Sequence, residues 1–180
     1  MKKKLATVSV QEPIKLDLGC GKNKKPGFFG VDSIAFEGVD KVVDLTKQWI
    51  WGNESVAEVH CSHFLEHLDQ KERVHFFNEL YRVMQKDAKA TIVVPSWTSE
   101  RAYGDPTHKW PPVVGFSFLY LNKAWRDSNA PHTDYKCDFG FQGGNSLAHP
   151  WGLKNQEAQI FAQTHYLNVA QDTWVTLTRG

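Results

Sequence analysis

The stretch Ile14-Lys-Leu-Asp-Leu-Gly-Cys-Gly21, answered at Gly30-Val-Asp32 by a second apolar run closing on a carboxylate, leaves this chain few folds to choose from. It reads as a buried strand, a glycine turn, a short connection and a second strand with an acid at its tip. Two glycines one residue apart let the backbone turn sharply and approach a ligand with no Cβ in the way. A carboxylate at the end of the next strand accepts from both hydroxyls of a ribose. Together they describe a nucleoside-binding site at the carboxyl ends of parallel strands. The dinucleotide fingerprint of dehydrogenases needs a third glycine three residues after Gly21, and Lys24 stands there instead.

Further strands follow. Ile14–Leu18 and Phe28–Val31 are the first two, Val39–Val43 ending at Asp44 is a third, and Val56–Cys61 is a fourth. From Glu66 to Gln85, Leu68, Val74, Phe76, Phe77, Leu80, Tyr81 and Met84 recur at helical spacing and predict a long amphipathic helix against a sheet. Lys86-Asp87 breaks it, and Ala90–Val94 is a fifth, apolar strand stopped by Pro95. Short apolar strands alternating with helical or turn segments predict an α/β fold with a mainly parallel sheet.

Asp17 and Asp32 lie too close for a full helix between the first two strands, so Lys22-Asn-Lys-Lys-Pro26 is expected as a loop or a single turn. Ser96–Pro150 differs in kind, with Pro106, Pro111, Pro112, Pro131 and Pro150 among many aromatics and Gly143-Gly144. A proline-punctuated aromatic segment of that length predicts a lid or substrate surface. From Asn155 onward Ile160, Phe161, Leu167, Val169 and Ala170 suggest a helix. Trp174–Thr178 fits helix or strand, with Thr and Val pulling toward strand.

At 180 residues the chain is expected to be one domain with a real core. A net charge of +1 offers no basic footprint for nucleic acid. Met1-Lys-Lys-Lys4 reads as a solvated tip, and Ser9, Gln11 and Glu12 interrupt any signal-peptide core after it. No apolar run approaches about 18 residues, so no membrane partner is expected. Cys20, Cys61 and Cys137 are odd in number and widely spaced, which fits reduced thiols in a cytoplasmic protein.

Four segments resemble those of the class I S-adenosylmethionine-dependent methyltransferases, in particular a small type 11-like group. They are Leu16-Asp-Leu-Gly-Cys-Gly21 with Gly27-Phe and Gly30-Val-Asp32, then Val43-Asp-Leu45, then Ser62-His-Phe-Leu-Glu-His-Leu68, and finally Asn78-Glu-Leu-Tyr-Arg-Val-Met84 through Thr91-Ile-Val-Val-Pro95. Asp105-Pro-Thr-His-Lys109 resembles an element in the substrate half of some members, and the whole chain is similar to short methyltransferases of bacteriophage genomes.

The resemblance implies a single Rossmann-like, doubly wound, mainly parallel sheet with helices on both faces. Residues 14–95 would form the cofactor half, 96–150 an aromatic lid inserted after the fifth strand, and 151–180 a C-terminal helix or strand. The implied cofactor is S-adenosylmethionine, released as S-adenosylhomocysteine. Its implied contacts are Asp17, Leu18, Gly19, Cys20, Gly21, Asp32, Ser33, Asp44, Leu45, Ser62 and His63.

Methyl transfer from a sulfonium needs the carbon held in line with a nucleophile about 3–3.5 Å away. The cationic sulfur already activates the methyl group, so no metal is expected. His63, at the end of the fourth strand, is a candidate general base, since a free imidazole titrates near neutrality. His108 is the second candidate catalytic group, and Tyr103, Asp105, His108, Lys109 and Trp110 are expected around the acceptor. Tyr120 and Trp125 are further candidate walls, and Trp49 and Trp51 fit either core packing or stacking on adenine. Glu66 and His67 are expected to cap and start the helix.

Two patterns compete. His63-Phe-Leu-Glu66-His67 fits the His-x-x-Glu-His motif of inverted zinc peptidases, with His60 and Cys61 nearby, but it follows a strand of a nucleoside-binding sheet. The Asp/Asn-Pro-Pro-aromatic motif of base-modifying relatives is missing, since Ser62-His-Phe-Leu65 stands in its place. No proline precedes Cys61 or Cys137, as a nucleophile for carbon 5 of cytosine would require. A small molecule, nucleotide or sugar accepting through oxygen or nitrogen is therefore the expected partner. A non-catalytic module that binds the same cofactor is the alternative.

Overall fold

The computed structural model describes residues 13–180; the basic tip and the Ser9–Glu12 interruption lie outside them. Seven strands form one sheet: β1 (Ile14–Leu18), β2 (Phe29–Asp32), β3 (Lys41–Val42), β4 (Val56–Ser62), β5 (Met84–Pro95), β6 (Phe139–Leu147) and β7 (Ala170–Arg179). Their order is β3-β2-β1-β4-β5-β7-β6, with β7 antiparallel to both neighbours and the other pairings parallel. Three α-helices accompany them: α1 (Gln70–Val83), α2 (Lys123–Asn129) and α3 (Gln156–His165). The expected Rossmann-like α/β sheet is therefore present.

The two faces of the sheet are unlike. Paired positions run across it as rows, Leu16–Val59–Ala90–Leu177 and Leu18–Cys61–Ile92–Val175, and every member is buried. Helix α1 sets Phe76, Phe77, Leu80 and Val83 into the same core. Side chains one position along a strand point to the opposite face, and there the row is Lys15–Glu58–Lys89–Thr178, with Lys15 and Glu58 ion-paired at 2.7 Å. The connections from β1 to β2 and from β2 to β3 are turns, as the Asp17–Asp32 spacing predicts for the first. Helical cover is uneven, and the strands alternate accordingly: β5, expected as apolar throughout, is fully buried on one side only.

Several boundaries move. Helix α1 ends at Val83, so Met84, counted as helical, opens β5. Lys86-Asp87 lies inside that strand, where Asp87 takes φ 62° and the pairing with β4 is irregular. Glu66 and His67 do not start α1. They form a 3₁₀ turn, and Asp69 caps the helix in a capping box with Glu72. The third strand shrinks to Lys41–Val42. The C-terminal helix stops at His165, and Trp174–Thr178 is strand.

The expected lid is also divided. Its last part, with Gly143-Gly144, is the edge strand β6, where a Cβ on Gly143 would stand 2.5 Å from the Trp174 carbonyl oxygen. That close approach, and no lid hinge, accounts for the glycine.

Candidate functional site

The carboxyl end of β1 is where the chain leaves toward β2 on one side while β4 lies on the other, the switch point at which open α/β sheets bind ligands. Gly19 and Gly21 turn the backbone there with φ 69° and 52°. The Gly19 and Cys20 amides both donate to the Val31 carbonyl, at 2.9 and 3.1 Å. Phe64 lies over the turn, so a Cβ on Gly19 would meet its Cδ2 at 2.4 Å. Asp32 closes the loop: Oδ2 accepts from the Gly21 amide at 2.9 Å and Oδ1 from the Ile34 amide at 3.0 Å.

Asp17 is buried beneath the loop, accepting from the Lys25 amide at 2.7 Å and pairing with His60 Nδ1 at 2.8 Å. Leu18 is core. Cys20 is buried beside Asp17 and Asp32, and burial first, then those carboxylates, push its thiol up to about 11. Ser33 is exposed next to Asp32. Asp44 receives the Thr46 amide and hydroxyl on Oδ1, at 2.9 and 2.6 Å, and those bonds hold its carboxyl below the usual range. Leu45 is buried and its carbonyl accepts from Trp49 Nε1 at 3.0 Å. Trp49 packs edge-on against Trp51 and Phe76, so it is core.

At the end of β4, Ser62 is half-buried and His63 takes φ 54° while donating its amide to the Val93 carbonyl at 2.9 Å. A left-handed histidine is uncommon and belongs to constrained sites. Its ring lies between Glu66 Oε1 at 3.3 Å and Asp172 Oδ1 at 3.7 Å. The Glu66 carboxylate, above all, raises its pKa. Asp172 is also paired with Arg101, at 3.0 Å. Neither was among the expected site residues, because the register of β7 that aims Asp172 at His63 has no local signal.

The second cluster stands beside the first. Tyr103, Asp105, His108, Lys109 and Trp110 line one cavity of about 200 Å³, so all five expected acceptor residues come together. The Lys109 amide donates to the Glu66 carbonyl at 2.7 Å, and buried Arg73 donates to the carbonyls of Leu65, Lys109 and Pro111. Asp105 receives the Thr107 amide and hydroxyl, at 2.8 and 2.7 Å. Tyr103 donates its hydroxyl to the Trp97 carbonyl at 2.9 Å. Tyr120 and Trp125 are elsewhere: they pack with Phe116, and Tyr120 lines another cavity with Arg73 and Tyr135. A further cavity of about 340 Å³ lies between Ser96, Trp97, Gly143 and Thr173, none of which was named as a site residue.

No protein-family model matches this chain, and no curated protein matches its sequence. Solved structures do match. A SAM-dependent methyltransferase from Archaeoglobus fulgidus aligns with 92% of this chain and 85% of its own, at 21% identity and a TM-score of 0.65. A SAM-dependent methyltransferase from Methanosarcina mazei aligns over 94% of each chain at 15% identity and a TM-score of 0.56. The geranyl diphosphate C-methyltransferase of Streptomyces coelicolor, solved with Mg²⁺, geranyl diphosphate and S-adenosyl-L-homocysteine, aligns with 94% of this chain and 74% of its own, at 14% identity and a TM-score of 0.54. At these identities the likeness is one of fold: the sheet is that of the class I methyltransferases.

Proposed function

We propose that this chain is an S-adenosylmethionine-dependent methyltransferase acting on an oxygen or nitrogen of a small-molecule, nucleotide or sugar acceptor. The observation that carries the reading is the Gly19–Gly21 turn locked to Asp32 at the switch point of a methyltransferase sheet. Each Asp32 oxygen accepts one amide and keeps a second lone pair, which suits the two ribose hydroxyls. Asp17 acts from below, fixing the loop that meets the amino acid end, and Asp44 with Leu45 lies toward the adenine. The single domain then divides into a cofactor half at 14–95, an acceptor segment from Ser96 to Tyr135 and the β6–α3–β7 edge.

The methyl carbon would face Ser62 and His63. An acceptor lone pair forms the new bond to that carbon as the sulfur–carbon bond breaks. The sulfur keeps the pair, S-adenosylhomocysteine leaves, and the acceptor's proton passes to a base. His63, between Glu66 and Asp172, is assigned to that proton. His108 is assigned to the acceptor, since it lines the cavity with Tyr103, Lys109 and Trp110.

Calorimetry with S-adenosylmethionine and S-adenosylhomocysteine tests the first half of the reading. Asp32→Ala is expected to weaken binding about tenfold or more, the loss of one to two hydrogen bonds. Equal affinity in wild type and variant would remove Asp32 from the site. His108→Ala is expected to lower turnover of a labelled methyl group while leaving cofactor affinity within twofold. Tight binding with no transfer to any small-molecule, nucleic-acid or protein fraction would point to a binding module.

A further inference from the structure

Glu66, His67 and His108 meet where the 3₁₀ turn after β4 touches the acceptor segment. One ligand atom from each lies within 4.8 Å of the others. Glu66 is 5% exposed, and neither carboxylate oxygen accepts a hydrogen bond. A carboxylate buried in that state is costly unless a cation compensates it. The side chain nearest to one is His63, at 3.3 Å from Oε1.

Hydrogen bonds fix which nitrogen each of the other histidines offers. His108 Nδ1 is 3.1 Å from the Ala102 carbonyl, which only accepts, so in the neutral ring the proton is on Nδ1 and Nε2, 3.9 Å from Asp105 Oδ2, keeps its lone pair. The Thr107 hydroxyl donates to Asp105 Oδ1 at 2.7 Å, so its oxygen accepts from His67 Nδ1 at 3.0 Å. His67 Nε2 is therefore also a lone-pair donor. Metal-binding histidines are characteristically oriented in this way, through the ring nitrogen that does not bind the ion. The two rings meet edge to face with centroids 4.8 Å apart.

We propose that Glu66, His67 and His108 bind one divalent transition-metal ion, with zinc the best match. Two imidazoles and a carboxylate select zinc over magnesium, which prefers oxygen ligands. Zinc bonds of about 2.0–2.2 Å place tetrahedral ligand atoms roughly 3.3–3.6 Å apart, so side-chain rotation closes the present spacing. Three protein ligands leave a fourth position. His108 also lines the 200 Å³ cavity, so that position suits an oxygen donor on a bound acceptor. The set differs from the His-x-x-Glu-His motif, because His63 lies between Glu66 and Asp172 outside the converging group and the third ligand comes from a distant segment. The ion site would revise the expectation that no metal takes part, and it stands independently of the methyl-transfer reading; only the occupant of its fourth position rests on that reading.

The test uses the full chain, stripped with a chelator and titrated separately with Zn²⁺ and Co²⁺. One ion per chain is expected, with the strong visible absorption of tetrahedral Co²⁺. His108→Ala and His67→Ala should abolish stoichiometric binding, and His63→Ala should retain it. Thr107→Val, which keeps the ligands but loses the orienting hydroxyl, should weaken binding about 10- to 100-fold. It also serves as the check if an alanine variant fails to fold. Absence of stoichiometric binding by wild type would overturn the site. So would affinity unchanged in His108→Ala and Thr107→Val. S-adenosylhomocysteine affinity measured on the same stripped protein separates this failure from failure of the cofactor reading.

Discussion

Between Gly19 and Thr46 the turns are tied by carboxylates that take backbone N–H groups, whereas between Leu65 and Cys137 Asp69 and Asp105 do so only locally and the long-range ties are guanidiniums that give to carbonyls. Asp17 takes the Lys25 amide, Asp32 those of Gly21 and Ile34, Asp40 that of Gly30 and Asp44 that of Thr46. On the other side Arg73 gives to Leu65, Lys109 and Pro111, and Arg126 gives to Tyr120 and Cys137. The difference follows from the chain. Strands joined by tight turns leave amides without partners, and an acid at each strand end collects them. Pro106, Pro111 and Pro112 each bring a carbonyl and no N–H. This proline-rich segment therefore has surplus hydrogen-bond acceptors, and buried arginines supply donors. On the proposed reading, one region shapes a site to be filled by a ligand's hydroxyls and amine, while the other holds an irregular wall in place.

The largest expected effect tests the arginine side. Arg73→Met should cost about 3 kcal/mol or more, because it removes three charge-assisted hydrogen bonds and leaves their carbonyls short of donors. Thermal unfolding measures it. Segment Lys109–Pro111 should loosen with it, read as faster amide exchange at Lys109 and Trp110, while the Gly19–Gly21 turn stays protected. Exchange rising equally in both regions would mean that they are not separately held.

Asp17→Ala should cost about 2 kcal/mol, the usual penalty when a buried amide and an imidazole nitrogen lose their acceptor. Its effect should fall on the loop and so on cofactor affinity, sparing the acceptor cavity. A variant that bound S-adenosylhomocysteine normally would show that the loop keeps its shape without the carboxylate beneath it.

The same contrast explains what was legible in the sequence. Asp17, Asp32 and Asp44 were visible because each stands at or beside a strand end, whereas Asp40, which takes the Gly30 amide ten residues back, carried no such mark. Spacing and resemblance single out Asp17, Asp32 and Asp44 as candidates, and the Asp17–Asp32 interval predicts the missing first helix. The arginines were silent, since Arg73 reaches carbonyls 36 and 38 residues away. Asp172 was silent for the same reason: it faces His63 only through strand pairing. Glu66 and His67 were read as a helix start because acids and polar groups do gather there. The real signal, Asp69 with Glu72, lay three residues on. Gly143-Gly144 looked like a loop because a glycine pair usually is one, while here a neighbouring carbonyl forbids any side chain.

The smallest expected effect sharpens the carboxylate side. Asp40 is held below the ordinary carboxyl range first by the Lys24 ammonium, at 2.8 Å, and next by the Gly30 amide. A carboxyl whose pKa is lowered by folding contributes stability above its unfolded value, near 3.9 for aspartate, and loses it as pH falls through the folded value. Asp40→Asn should therefore lower the midpoint of unfolding slightly at neutral pH, and the gap from wild type should close as the solution is acidified below about pH 4. Added salt should narrow it too, because the pair is partly exposed. A gap that survived both treatments would show that the Lys24 ion pair is not its source. The Arg73→Met deficit should not move with pH over the same window, since a guanidinium keeps its proton throughout.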